Sequence, residues 1–402
     1  MRLQVQQHRQ PMKGIVMLKR ITAPVCILIV LLLLCGCSRI LEGEVYSTHP
    51  HGEPVESAAP DENIVEAETY EDIITAVTAL IDEHKQSGMI RFSNYDGDVE
   101  RDVEAACLEI WHNTPVGAYA VLYISYPVTR IVSYYEAEIE IAYQRTKEQV
   151  DSIVPASTWR YIQYGLLNCL ENYFASYTVS TKIKDLSADN FKEYVKELYY
   201  NNPLDIVAMP KVNVNVFPDT GENKIFETLF EYPQPERTLA SATAELNNAV
   251  QNIIEAVSGD DDANIFLSIC EQLIEITEYD DEAAESGVFD DFAMTAYGAL
   301  VQGKAVGEGY AMAYKAVCDK LGLECSIIVG RRNGVNHAWN IIKLEDSYYH
   351  VDPAMCAVNG IENAFLLRDA DMSEYWWDPL YYNKVCDGDL TYQSIIKNAK
   401  GA

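Results

Sequence analysis

The chain has 402 residues, with 61 acidic against 30 basic side chains and a formal net charge of −31 at pH 7. A surface this acidic repels nucleic-acid phosphates and other polyanions, which excludes nucleic-acid binding as the main function. Hydrophobic residues make up 49% of the composition, enough for a sizeable buried core.

The first 36 residues are typical of a sorting signal rather than of a folded segment. Lys13, Lys19 and Arg20 precede an unbroken apolar run over residues 25–34, about half of the roughly 20 residues that a membrane-spanning helix needs. The run ends in Leu-Cys-Gly-Cys, with Cys37 last. This ending resembles the lipobox of bacterial lipoproteins, which implies that Cys37 is lipidated and that the mature, extracytoplasmic chain is tethered to the cell membrane. A short uncleaved anchor is the alternative.

Seven cysteines follow this signal, an odd number at scattered spacings without a Cys-x-x-Cys pair: Cys107, Cys169, Cys270, Cys318, Cys325, Cys356 and Cys386. Disulfide frameworks and zinc sites show more regular spacings. The pattern therefore predicts buried apolar thiols, with neither a metal nor another cofactor, and leaves one opportunistic disulfide open.

The middle of the chain divides into a polar segment and a structured one. Residues 37–67 are mostly polar with no apolar period, which predicts a flexible stalk. Residues 68–258 alternate helix and strand signals, beginning with helical spacing over 70–84. Within them, residues 108–150 and 196–242 are similar: each has a helix, an Asn-x-Pro turn, two strands and a further helix. They predict two small α+β units, with chance similarity as the alternative.

A charged, glycine-containing break over residues 258–264 is typical of a domain boundary and places a C-terminal domain at 259–402. The pattern after it predicts an amphipathic helix over 265–279 and another within 289–320. Three strands, rich in β-branched and aromatic residues, are predicted at 323–330, 337–344 and 348–352. The predicted fold class of the whole chain is α+β.

Three short motifs follow one another in this C-terminal domain. Residues 303–311 read GKAVGEGYA, His337 begins His-Ala-Trp-Asn, and Asp352 ends Tyr-His-Val-Asp. This order resembles the transglutaminase-like superfamily of papain-type cysteine enzymes, whose signature is a Cys in GxxxCxGYA, a His in HAWN and an Asp at a strand end. The resemblance covers less than a third of the chain. The position of the family's nucleophile is Gly307.

The resemblance implies a role for each position. In such a site a helix N-terminus and an imidazolium keep the Cys as a thiolate, the His acts as base and then acid, and the Asp holds one imidazole tautomer. His337 and Asp352 match the last two roles, whereas Gly307 cannot form an acyl-enzyme. The expected cleft-lining residues are Glu308, Tyr310 and Trp339. Pro-Ala-Met follows Asp352, where the family usually has x-Thr-Trp. The expected wall of the cleft therefore differs from the family's pattern as well.

No residue within 303–311 is a Ser, Thr or Cys that could replace the missing thiol. Cys318 is 11 residues along the same predicted helix, and at about 1.5 Å per residue it is about 16 Å away, which is too far. Cys356 is four residues past Asp352 in a predicted loop. Glu308 could activate a water, but a solvated first-turn carboxylate is the simpler interpretation.

Two functions of different class follow. The first is a non-catalytic binding module, on a membrane-anchored lipoprotein, that holds a peptide, a protein or a cell-envelope polymer in the remnant cleft. The second is a cysteine peptidase or acyl-transferase-type enzyme that uses His337 and Asp352 with a non-standard nucleophile. A purely structural surface protein is a third possibility. In that case, the two residues form a hydrogen bond that only supports the fold.

Overall fold

Helices and a mixed sheet form the first unit of the fold. The computed structural model describes residues 64–287 and 292–401. Helix α1 begins where Thr69 and Asp72 form a reciprocal capping box, which satisfies N–H groups that have no partner within the helix. The elements of this unit are β1 (Ile64–Glu66), α1 (Tyr70–Asp82), β2 (Ser87–Phe92), α2 (Val99–Asn113), α3 (Pro115–Ala120), β3 (Val121–Ser125), β4 (Val128–Ile131) and β5 (Tyr134–Tyr143).

The sheet of this unit has the order β1-β2-β5-β3, and β4 also pairs with β5. Strands β1 and β2 are parallel and the other pairs are antiparallel. The stalk predicted at 37–67 extends too far, because β1 lies within it and pairs along β2, and because Ala67 is buried. The remainder of the predicted stalk and the predicted signal at 1–36 lie outside the described residues.

A second unit follows with the same strand order. Its elements are α4 (Lys147–Asp151), β6 (Val154–Ala156), α5 (Trp159–Glu171), β7 (Ser176–Thr181), α6 (Ala188–Asn201), β8 (Lys211–Phe217), β9 (Lys224–Glu231) and α7 (Glu236–Ala256). The sheet runs β6-β7-β9-β8, again with one parallel pair at its start. Apart from β4, which has no counterpart in the second sheet, the strands of the two units follow the same order, and the repeat of the two units stays a prediction.

A partly buried ion pair joins the two units. Arg145 follows β5, and its Nε and Nη2 donate to the two carboxylate oxygens of Glu227 on β9 at 3.1 and 2.9 Å. The guanidinium also lies over the ring of Tyr119, 5.1 Å from its centroid. Bidentate geometry and burial make this pair a stronger contact than an exposed salt bridge.

The C-terminal part combines a long buried helix with an antiparallel sheet. Its strands run in the order β15-β14-β13-β12-β16, and helix α10 packs against β12 and β13. Asn340 on β13 donates to the backbone oxygen of Ala311 on α10 at 3.0 Å. The elements are α8 (Asp262–Ile276), β10 (Glu278–Tyr279), α9 (Asp281–Ser286), β11 (Lys304–Ala305), α10 (Gly307–Leu321), β12 (Cys325–Arg332), β13 (Val335–Leu344), β14 (Ser347–Val351), α11 (Pro353–Asn359), β15 (Phe365–Leu367), β16 (Tyr375–Trp376), α12 (Pro379–Tyr382) and α13 (Tyr392–Gly401).

The predicted α+β class is confirmed, because antiparallel pairing dominates each of the larger sheets. The three strands predicted after residue 322 are found within two residues of their predicted ends. The helix predicted at 265–279 lies three residues earlier, because the side chain of Asp261 caps it by accepting from the backbone N–H of Asn264.

One hydrophobic core crosses the predicted domain boundary at residue 258. Leu246 and Val250 of α7 belong to the same buried cluster as Phe266 of α8 and Tyr314 of α10, and Glu62–Ala402 forms one compact unit. The boundary stays a prediction, but the packing indicates that its two sides depend on each other for stability. Within residues 64–287 and 292–401, no helix combines the length and apolar character that crossing a bilayer requires.

Candidate functional site

The three motif positions converge at the N-terminal end of α10. Gly307 is the first residue of α10, His337 lies on β13, and Asp352 directly follows β14. Strands β13 and β14 are antiparallel neighbours with Asn340 opposite Val351. This register brings His337 and Asp352 together although 15 positions separate them in the chain.

His337 and Asp352 form a buried hydrogen-bonded pair. Nε2 of His337 lies 2.6 Å from Oδ2 of Asp352. The carboxylate also accepts from the hydroxyl of Tyr375 at 2.8 Å and from the backbone N–H of Met355 at 3.0 Å, so it caps α11 as well. Burial alone would raise the pKa of Asp352, but the charge of His337 and these three hydrogen bonds hold it below its usual value of 3.8. The carboxylate is therefore ionised at neutral pH.

The imidazole of His337 occupies the space beside Gly307 that a side chain at position 307 would need. A Cβ built on Gly307 would lie 2.4 Å from Cε1 and 2.5 Å from Nδ1 of the ring. Carbon atoms in contact normally sit about 3.5–4.0 Å apart. The site is therefore repacked around glycine and is not a cysteine site that lacks only its sulfur atom. Nδ1 of the ring faces the start of α10.

Trp339, expected to wall the cleft, lies beneath the imidazole instead. Its indole is fully buried and nearly parallel to the His337 ring, with centroids 6.1 Å apart and an interplanar angle of 18°. The indole Nε1 donates to Nδ1 of His350 at 3.0 Å, and Nε2 of His350 lies 2.9 Å from Oδ1 of Asp369. Burial lowers the pKa of His350 despite the opposing charge of Asp369. Trp339 thus supports the imidazole of His337 from below, and its indole is itself fixed by the hydrogen-bonded pair His350–Asp369.

His350, Asp369 and Cys386 offer possible metal-ligand atoms within 4.8 Å of one another. Metal binding by Nε2 of neutral His350 requires the ring proton on Nδ1. Nδ1 instead accepts from the indole of Trp339, which can only donate. The proton is therefore on Nε2, and the cluster fits a structural hydrogen-bond network rather than a metal site.

Glu308 follows Gly307 and is not the solvated carboxylate expected from its first-turn position. It is only partly exposed, and Oε1 accepts from the hydroxyl of Tyr200 on α6 at 2.8 Å. Burial raises the pKa of Glu308 from 4.5 to about 7, against the hydrogen bond from Tyr200 and the charge of Lys196. Desolvation outweighs the helix dipole here, because α6 covers the first turn of α10.

Tyr310 does not line the cleft as expected. It lies two residues after Glu308, about 200° round the helix. Its ring is fully buried, and its hydroxyl donates to the backbone oxygen of Thr277. Tyr310 therefore anchors α10 to the segment between α8 and β10.

Neither cysteine considered as a substitute nucleophile reaches the site in usable form. All seven cysteines after residue 37 are free thiols with buried side chains. Cys356 lies in α11 rather than in the predicted loop, and burial, then contact with Cys270, raises its pKa well above 9.0. Burial likewise raises the pKa of Cys318. A thiol with a raised pKa is a poor nucleophile at neutral pH.

Sequence reasoning missed Tyr375 and Tyr200, which bond to Asp352 and Glu308 respectively. Tyr375 is 23 positions from its partner and Tyr200 is 108 positions away. Neither tyrosine belongs to one of the three motifs. Only the tertiary arrangement reveals these contacts.

Comparison with known proteins adds little to this geometry. No protein-family model matches the chain, and no curated protein matches it. A crystal structure of a TGase aligns with a TM-score of 0.27 and 12% identity, over 56% of this chain and 64% of that chain. A candidate protease from Parabacteroides distasonis aligns with a TM-score of 0.22 and 7% identity, over 68% of this chain and 41% of that chain. The chain thus spans less than two thirds of the length of either neighbour. Because the TM-scores are this low, the neighbours support no functional assignment, and any such assignment has to rest on the geometry around Gly307.

Proposed function

We propose that this chain is an exported, lipid-anchored protein whose transglutaminase-like C-terminal part binds a peptide, a protein or a cell-envelope polymer without acyl transfer. One observation supports the non-catalytic part above all: the imidazole of His337 occupies the volume where a nucleophile's side chain would start. Acyl-enzyme chemistry needs an atom there that attacks a carbonyl carbon, and glycine offers none.

The retained His337–Asp352 pair suits ligand binding for a simple electrostatic reason. Asp352 holds Nε2, which leaves Nδ1 directed at the start of α10. The first N–H groups of a helix have no partner within the helix, and Val306 supplies no side-chain cap. A peptide bound at this end of α10 would place a carbonyl or carboxylate oxygen against the helix N–H groups, beside the ring rather than between it and the helix, and one of its N–H groups against Nδ1, which accepts when the ring proton is on Nε2.

The proposal is tested by looking for turnover and binding in the same samples. The protein is incubated with a fluorescent primary amine and a glutamine-containing protein, and separately with an unlabelled peptide mixture followed by mass spectrometry. We expect no amine incorporation and no cleavage beyond that of His337→Ala, while peptides are retained by the immobilised protein. Turnover that His337→Ala abolishes would contradict the non-catalytic proposal.

A second candidate is a hydrolase in which a carboxylate activates water. It replaces the thiol version of the enzyme hypothesis, because the native thiols are buried. The supporting observation is Glu308, one position from Gly307 with a pKa raised to about 7, a value suited to a general base near neutral pH. Hydrolysis that Glu308→Gln abolishes would favour this candidate. In the native protein the hydrogen bond from Tyr200 lowers the pKa of Glu308. Tyr200→Phe removes this bond, so it should raise that pKa and shift the midpoint of the pH–rate profile upward.

A further inference from the structure

A segment that starts with β16 covers the outer edge of β12. Residues 375–385, named here the strap, begin with Tyr375 opposite Arg332 and Trp376 opposite Arg331. Further along, the hydroxyl of Tyr382 donates to the backbone oxygen of Val329 at 3.3 Å and accepts from its N–H at 2.7 Å. Next, Lys384 donates to the hydroxyl of Ser326 at 2.7 Å. The strap therefore runs back along β12 and satisfies polar groups at an otherwise open edge.

The outward side of the strap is apolar. Leu380 is 89% exposed, Tyr381 66%, Trp376 65% and Val385 64%. Their neighbours Tyr375, Trp377 and Tyr382 pack inward on the cluster around Trp339. Single exposed hydrophobic residues are ordinary, but four large ones within one short segment are typical of an interaction surface.

Helix α6 lies against β12, the strand that the strap covers, and carries two exposed carboxylates, Glu193 and Glu197, four residues apart on one face. After burial, their charges raise the pKa of Tyr381 on the strap, in agreement with this placement. At its C-terminal end α6 presents Tyr200, which bonds to Glu308. At the start of the strap, Tyr375 bonds to Asp352. The strap and α6 thus lead to the two sides of the space around Gly307.

We infer that the outward side of the strap, together with Glu193 and Glu197, docks an extended peptide that carries apolar side chains next to basic ones. The inference rests on the proposed binding function and names the class of partner for that cleft. Apolar side chains of the peptide would cover Leu380 and Tyr381, and its cationic groups would meet the two carboxylates. An anionic polymer is disfavoured by the same carboxylates and by the net charge of −31.

The test measures fluorescence anisotropy of a labelled peptide of alternating Lys and Leu residues on the full chain. Two variants alter the surface: Leu380→Ser with Tyr381→Ser, and Glu193→Lys with Glu197→Lys. The control is Glu100→Lys with Glu104→Lys on α2, which has the same helical spacing, exposure and change in net charge. We expect each surface variant to weaken binding about tenfold and the control to weaken it less than about twofold. Peptides of Lys with Ser, or Glu with Leu, should bind at least about tenfold more weakly.

Equal weakening by the α2 and α6 charge reversals would overturn the inference, because it would show unspecific attraction to an acidic protein. Self-association that is abolished by Leu380→Ser with Tyr381→Ser would also overturn it, because the strap would then be an interface with a second copy of this chain. If peptide binding is weakened by His337→Ala but by neither surface variant, the docking surface is refuted and the proposed binding function is kept. Cleavage of the bound peptide, with strap dependence intact, would refute the non-catalytic function and support the docking surface.

Discussion

The substitution Gly307→Ala sets two physical effects of opposite sign against each other at the centre of the site. Replacing glycine by alanine in a helix normally stabilises a protein by about 0.5–1 kcal/mol. Here the new Cβ would lie 2.4 Å from Cε1 of His337, so the ring would have to move by about 1 Å to reach an ordinary contact. Overpacking of this kind costs about 1–3 kcal/mol. We therefore expect a net loss of about 1–2 kcal/mol in the free energy of unfolding.

The ring cannot move without a further consequence. His337 is held to Asp352 at 2.6 Å, and a shift of the imidazole would stretch the strongest bond of a carboxylate that is fully buried. The destabilisation should therefore depend on the imidazole. In a His337→Ala background, Gly307→Ala should be neutral or stabilising, which gives a coupling of about 1–3 kcal/mol between the two positions.

Urea unfolding of the four proteins in this cycle, followed by tryptophan fluorescence, measures the coupling. The midpoint is informative provided that the slope against denaturant concentration is unchanged. A higher midpoint for Gly307→Ala in the original background would refute the reasoning. An equal loss in both backgrounds would refute it as well, since the imidazole would then not be the obstacle.

Three further outcomes are expected. The contribution of Glu308 to stability should be lost as pH rises from 4.5 through about 7, because its pKa is raised in the folded state. Glu308→Gln should flatten that part of the urea-midpoint profile. A profile unchanged by this variant would show that the carboxyl is not desolvated. Arg145→Met should lower the free energy of unfolding by about 3–5 kcal/mol in the same assay, because it leaves the buried carboxylate of Glu227 without the guanidinium. Replacing both residues by Met should recover much of that loss. No recovery would mean that lost packing, and not the unpaired charge, is responsible. Cys37→Ala should release the protein from the membrane fraction or leave an unprocessed precursor, and unchanged fractionation with an unchanged N-terminal mass would contradict lipid anchoring.

The motifs predicted which residues meet, but not how they meet. The family resemblance of the motifs implied that His337 lies beside Asp352, and the antiparallel register of β13 and β14 brings the two residues together. The position of the imidazole over Gly307 depends on the packing of α10 against β13. A sequence motif contains no information about that distance.

Residues from outside the motifs decide the electrostatics of the site. Glu308 looked solvated because first-turn carboxylates usually are, yet Tyr200 and the rest of α6 cover it. Tyr310 matched the family's motif by letter, but helix geometry turns it away from Glu308 and into the core. In both cases the local pattern was correct and the tertiary surroundings overrode its usual meaning.

The effect of Gly307→Cys follows from the same geometry. A thiol at the start of α10 should have a pKa below the reference of about 8.5, mainly through the helix dipole. Its Cβ would fall where the ring now lies, so the imidazole must shift and no longer has both Asp352 and the thiol within reach. We therefore expect alkylation by iodoacetamide at neutral pH that is faster than at the seven buried native thiols but only slightly slowed by His337→Ala. A strong dependence on His337 would show that the imidazole swings back into a catalytic position when a thiol is present. The His337–Asp352 pair would then have kept a catalytic geometry, and the changed residues after Asp352 would be the remaining departure from the family's motif.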